Sequence, residues 1–122
     1  MSKYDGELAD IQQMISMQQA KQQRLEILLV QAEKKDGQMD GLLIRTYALI
    51  EEGWRDKSTD KMKQMLEQSK HYYTNQIARI EGMIQEIQRE IERGYTRIAD
   101  YQNDIQYYTN LKRLEAEANV SH

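Results

Sequence analysis

The stretch IARIEGMIQEIQREIERGYTRIADYQNDIQYY, residues 77–108, places an isoleucine at every seventh position: Ile77, Ile84, Ile91, Ile98 and Ile105. Ile80, Ile87, Gly94, Tyr101 and Tyr108 fall between them at alternating steps of three and four residues. These are the a and d positions of a heptad repeat, in phase across the whole stretch. A straight α-helix drifts away from a seven-residue seam, so helices that keep one wind around each other. The reading that follows is an all-α fold, an antiparallel two-helix hairpin of coiled-coil type that completes a larger bundle by association.

A first helical pattern runs from about Glu7 to Glu52. Leu8, Ile11, Ile15, Leu25, Leu29, Ala32, Met39, Leu43 and Ile50 share one face, and Gln18, Gln22 and Asp36 occupy seam positions in the same register. Polar seam residues weaken a coiled coil while fixing its register. Gly37 and Gly41 each cost about 1 kcal/mol relative to alanine in a helix interior, which predicts a bend or a frayed turn over Lys34 to Gly41. The break between helices is expected at residues 53–58, where Gly53 can leave the helix and Ser58, Thr59 or Asp60 can cap the next one. The second helix is then expected over about residues 59–115, with Met62, Leu66 and Tyr73 on its seam and a frayed end from Glu117. Residues 1–122 make one hairpin domain.

Folding back at Trp54 to Lys57 pairs residues whose numbers sum to roughly 112, by which Gly94 falls close to Gln18. The first helix then runs out near Asp104. Ile105, Tyr108, Leu111 and Leu114 are expected to project past it uncovered.

Composition narrows the function. Lys and Arg total 17 against 20 for Asp and Glu, a net charge of −3, with 8 basic and 11 acidic groups in the first sixty residues and 9 of each in the rest. No basic stripe is present, which argues against nucleic acid or anionic lipid as a partner. No apolar stretch approaches the roughly 20 residues of a membrane span, and no cleavable leader is visible. Proline and cysteine are absent. The first fact removes the strongest helix breaker, and the second excludes disulfides, thiolate metal sites and a cysteine nucleophile.

Chemistry finds little to work with. Glu67 stands one turn before His71, and Glu86 one turn before Glu90. Glu67 and His71 lack the second Glu/His pair that a carboxylate-bridged metal centre in a helical bundle uses, so a solvated surface histidine is the ordinary reading. Glu86 and Glu90 could chelate a cation, but a solvated face shared with Arg89 and Arg93 is the ordinary reading. No metal, no cofactor and no catalytic residue is assigned, so the chain reads as a non-enzyme. The aromatic residues divide differently. Tyr73 and Tyr101 suit a seam that buries the ring and wets the hydroxyl. Tyr107 and Tyr108, at the expected overhang, suit equally a contact with a partner. Trp54 at the turn suits either a plug or a recognition residue, its position favouring the plug.

The motif Gly53-Trp54-Arg55-Asp56 between two long proline-free helices resembles the Trp-X-Gly helical-hairpin proteins of type VII secretion, with aspartate where that family has glycine. Trp54-Arg55-Asp56-Lys57 followed by a long charged helix ending in Tyr107-Tyr108 is more similar to the small α-helical accessory proteins of LXG-domain toxins in Gram-positive bacteria. The likeness spans roughly residues 7–115. It implies an adaptor or targeting chaperone that binds the helical N-terminal region of a toxin, with or without a second small helical protein, and helps deliver it to the secretion machine. The Tyr-xxx-Asp/Glu export signal of that superfamily is missing from the second helix; Tyr47 to Glu51 has the spacing on the first. A cytoplasmic location follows, with co-export alongside the partner as the alternative. On this reading Ile84, Ile91, Ile98, Tyr101, Ile105, Tyr107 and Tyr108 bind the partner, and Gly53 and Trp54 form the turn. The competing readings are a self-associating coiled-coil scaffold, hence a homo-oligomer, and a coiled-coil export chaperone.

Overall fold

A computed structural model describes residues 2–55 and 60–120, the side chains of residues 53–55 excepted. Two helices, α1 (Asp5–Arg55) and α2 (Asp60–Val120), pack against each other as an all-α hairpin. Among the described residues there is no strand, and no helix is long and apolar enough to cross a membrane.

Every seam position predicted on α1 turns toward α2. Leu8, Ile11, Ile15, Gln18, Leu25, Leu29, Ala32, Asp36, Met39, Leu43 and Ile50 are half-buried and Gln22 is buried. Thr46, absent from the predicted face, completes the repeat; it is buried, and its hydroxyl donates to the Leu42 carbonyl at 2.9 Å. On α2 all ten heptad positions from Ile77 to Tyr108 are buried or half-buried. Met62 is a correction. It is exposed, and Lys63 holds the seam position one residue later. The repeat counted back in sevens from Ile77 reaches Lys70 and Lys63, whose aliphatic stems can line a seam while the charge stays wet.

The helix limits also differ from expectation. α1 runs unbroken through Lys34 to Gly41, with no frayed turn. Ala32, Asp36, Met39 and Leu43 keep heptad spacing there, and packing of that face outweighs the propensity cost of two glycines. α1 also starts two residues earlier than Glu7, because Ser2 and Asp5 cap it. The Asp5 carboxylate accepts from the Ser2 amide at 3.1 Å and the Ser2 hydroxyl accepts from the Tyr4 amide at 3.3 Å, a reciprocal box that satisfies free donors of the first turn. At its other end α1 continues to Arg55, so the backbone at Gly53 and Trp54 is helical where a turn was expected. The Trp54 side chain and residues 56–58 of the expected turn lie outside the described residues. α2 stays helical to Val120, beyond the expected fraying at Glu117.

The residues cluster as two compact units where the sequence reads as one domain: Met1–Glu26 with Arg89–His122, and Ile27–Gln88. Two helices that each bury one stripe have no common centre on which side chains converge. Only Ile77, Ile80 and Ile98 are buried among the described apolar side chains, and none is fully enclosed.

Candidate interaction surface

In the unit built from Met1–Glu26 and Arg89–His122, a polar layer sets the register. The Gln22 side chain, 3% exposed, donates to the Ile91 carbonyl at 2.7 Å and accepts from the Gln18 amide at 2.9 Å. Gly94 makes room for it, since a Cβ at that position would overlap the Gln22 carboxamide and crowd that of Gln18. Close backbone approach at Gly94 was legible in the sequence; Gln22 as its main occupant was not. Gln22 faces Gly94, so facing residue numbers add to 116, four more than the turn position suggested.

That shift and the early start of α1 remove the expected overhang. Tyr4 packs on Tyr108 with ring centroids 5.9 Å apart, Lys112 reaches Asp5 at 2.8 Å, and the Ser2 hydroxyl donates to Glu115 at 3.0 Å. Ile105, Tyr108 and Leu111 are half-buried, while Leu114 remains exposed. The hydrogen bond from Lys112 holds the Asp5 carboxyl below its ordinary range. The hydrogen bond between Tyr108 and the Glu7 carboxylate, with the charge of Glu7 beside it, raises the phenol. Tyr107 packs edge-on against Tyr108 at 5.3 Å and leaves most of its ring in solvent.

The seam of this unit is flanked by polar pairs. On the g side Glu90 binds Lys21 at 3.1 Å and gathers Arg93 and Arg97 at 3.4 and 3.5 Å. The Lys21 hydrogen bond, then the charges of Lys21, Arg97 and Arg93, lower the Glu90 carboxyl. On the e side Tyr95 donates to Glu26 at 2.5 Å, which raises its phenol. These contacts fix the geometry of an antiparallel pair: g faces g and e faces e.

The unit Ile27–Gln88 has a different chemistry on its flanks. Its e positions among the described side chains are Glu33, Asp40, Tyr47, Asp60, Glu67, Thr74, Glu81 and Gln88, an acidic edge on which Lys70 lies over the Tyr47 ring at 5.0 Å. Its described g positions are Leu28, Lys35, Leu42 and Leu49 on α1 and Met62, Ser69, Gln76 and Met83 on α2. Leu28, Leu49, Met62 and Met83 are each about half exposed, at 49–54%. Register pairs Leu28 with Met83 and Leu49 with Met62, two half-covered apolar pairs beside the seam, with Lys35 opposite Gln76 and Leu42 opposite Ser69 between them. Half-exposed apolar surface of this kind is where a further helix docks on a helix pair.

The residues assigned to partner binding are thus placed as follows. Ile98 is buried against α1. Ile84, Ile91, Tyr101, Ile105 and Tyr108 are half-buried on the same seam, and Tyr107 is exposed beside it. The structure brings all seven onto one helix face or its border, and the seam itself is occupied by intrachain packing. Sequence reasoning missed the apolar flank. Its signal was a leucine or methionine immediately before a seam position, at Leu28, Leu42, Leu49, Met62 and Met83.

Glu67 and His71 line an open groove of about 450 Å³ with Ile50, Lys63, Gln64 and Gln68. Glu67 is paired with Lys70 at 3.8 Å, and no group of three or more potential metal-ligating side chains occurs among the described residues. No family of known proteins, no curated protein and no solved structure matches this chain.

Proposed function

We propose that this chain is a non-enzymatic adaptor that receives a helical segment of another protein along the leucine–methionine flank of residues 27–88. The observation that carries the reading is the contrast between flanks: acidic and polar on the e side, and on the g side the half-exposed pairs Leu28/Met83 and Leu49/Met62 with Leu42 between them. A helix laid along the g side covers Leu28, Leu42, Leu49, Met62 and Met83 and turns the pair into a bundle. The half-buried isoleucine seam gains further cover from the same event. Tyr107 at the far end of α2 is available for a second contact. The sequence resemblance supplies the kind of partner: the helical N-terminal region of an LXG-domain toxin, handed to a type VII secretion machine.

The test is co-expression with such a toxin region from the source organism, comparing the natural chain with Leu28→Glu/Leu49→Glu. Both substituted positions are about half exposed, so circular dichroism should show helicity unchanged. Capture by the natural chain and at least about tenfold weaker capture by the double variant supports the reading. Equal capture by both places the partner elsewhere and overturns it.

A further inference from the structure

An exposed side of α1, opposite to its leucine flank, carries a second pattern. Val30, Lys34, Gly37, Asp40 and Ile44 are spaced four, three, three and four residues apart, so the stripe reads symmetrically about Gly37. Val30 and Ile44 are among the most exposed apolar side chains, at 64% and 68%. Lys34 and Asp40 are exposed and form no ion pair among the described residues. Gly37 and Gly41 have nothing within 4 Å of where a Cβ would stand, and neither has a left-handed backbone. Packing within the chain therefore gives no reason for two glycines in the middle of a long helix, where glycine costs stability. Close approach of another helix backbone does give one.

We propose that this face is a homotypic contact, on which a second copy of the chain packs α1 against α1 in antiparallel fashion with Gly37 on the two-fold axis. The argument for a second copy is self-complementarity. A two-fold contact requires that if one residue meets another, the reverse also holds. Run backwards against itself, the stripe sets Val30 on Ile44 and Lys34 on Asp40, and symmetry makes each contact twice. The small residue falls at the centre, where two helices cross most closely. An unrelated partner would need to reproduce both the apolar spacing and the reversed charge order. This contact uses a different side of α1 from the apolar flank and does not depend on the adaptor reading.

Cysteine is absent from the chain, so single cysteines can report the geometry. Gly37→Cys should form a crosslinked dimer rapidly under mild oxidation. Val30→Cys and Ile44→Cys should each crosslink poorly alone and well when mixed, since residue 30 of one copy meets residue 44 of the other. Val30→Cys crosslinking to itself as fast as Gly37→Cys would mean a parallel pair and overturn the proposal. Sedimentation equilibrium of the natural chain should show a dimer. Lys34→Asp should weaken it at least about tenfold by setting two acids face to face, and Lys34→Asp with Asp40→Lys should restore it. A monomer up to millimolar concentration, or a dimer indifferent to the charge swap, would also overturn it.

Discussion

Gly94→Ala should destabilise the hairpin, although alanine is the better helix former. In an open helix interior the exchange gains about 1 kcal/mol. At position 94 the new methyl would land on the Gln22 carboxamide, which is buried and tied both to Gln18 and to the Ile91 carbonyl. A glutamine end group is flexible, so it can swing aside, and its surroundings set the cost of doing so. Each hydrogen bond lost costs about 0.5–1.5 kcal/mol, and an amide left buried without partners costs about 1–3 kcal/mol. Set against the propensity gain, the net loss is about 1–3 kcal/mol. Urea and thermal unfolding followed by circular dichroism measure it. Gly82→Ala is the reference: nothing lies within 4 Å of its Cβ position, so it should gain up to about 1 kcal/mol. In a Gln22→Ala background only the end of the Gln18 side chain, released from its bond to Gln22, has to move, and Gly94→Ala should turn neutral or favourable, a coupling of at least about 1 kcal/mol. If Gly94→Ala stabilises the natural chain as much as Gly82→Ala does, the polar layer does not set the register.

Asp36→Leu should stabilise by about 1–3 kcal/mol, because one carboxylate oxygen of Asp36 is buried on the seam without a hydrogen-bond partner among the described residues; a lower urea midpoint would show the charge is needed. Ile98→Ala, at one of the three buried apolar positions among the described residues, should cost about 2–4 kcal/mol, and Ile105→Ala at a half-buried position should cost less; equal losses would contradict the burial pattern. Asp5 and Glu90 are lowered in the folded state, so their contribution is complete above the ordinary carboxylate range and fades as pH falls through the lowered values. Carboxyl NMR titration reads this directly, with Lys112→Met predicted to return Asp5 toward normal and Lys21→Met to do so for Glu90. Tyr95 and Tyr108 are raised, so their bonds to Glu26 and Glu7 hold below the ordinary tyrosine value of about 10 and are lost as pH climbs through the raised values; absorbance titration showing normal phenols would contradict the geometry.

The seam was legible because it rests on one-dimensional periodicity. Twelve predicted α1 positions and ten on α2 all turn inward, and a polar residue such as Gln18 or Asp36 could be placed by phase alone. Met62 failed because hydrophobicity was weighed above phase: Lys63 is less apolar and one residue later, yet it keeps the repeat. The overhang failed through a small register error compounded by a missed cap. Ser2 and Asp5 extend α1 by a short step, and that step covers Tyr108. The flanks were the larger omission. Whether Leu28 or Lys21 matters depends on which g position of the other helix it faces, and pairing is three-dimensional information. Lys21 meets Glu90 and closes the g side of one unit, while register sets Leu28 opposite Met83 and leaves an apolar pair on the g side of the other.

This unequal distribution bears on why the chain is built with so weak a core. A seam carrying Gln18, Gln22, Asp36 and Thr46 trades hydrophobic burial for register, and one Asp36 oxygen lies buried there without a hydrogen-bond partner among the described residues. A hairpin with three buried apolar side chains among those described has little in reserve, so any ligand that covers its apolar flank should raise its stability visibly. The size of the effect follows from mass action and not from the details of the interface: a helical partner at a hundred times its dissociation constant adds about 2.7 kcal/mol. A rise of that order in the urea midpoint with the proposed helical partner, absent with Leu28→Glu/Leu49→Glu, is expected if the flank is the docking site. Saturating partner that leaves the unfolding midpoint unmoved would show that the folded hairpin is not what it binds.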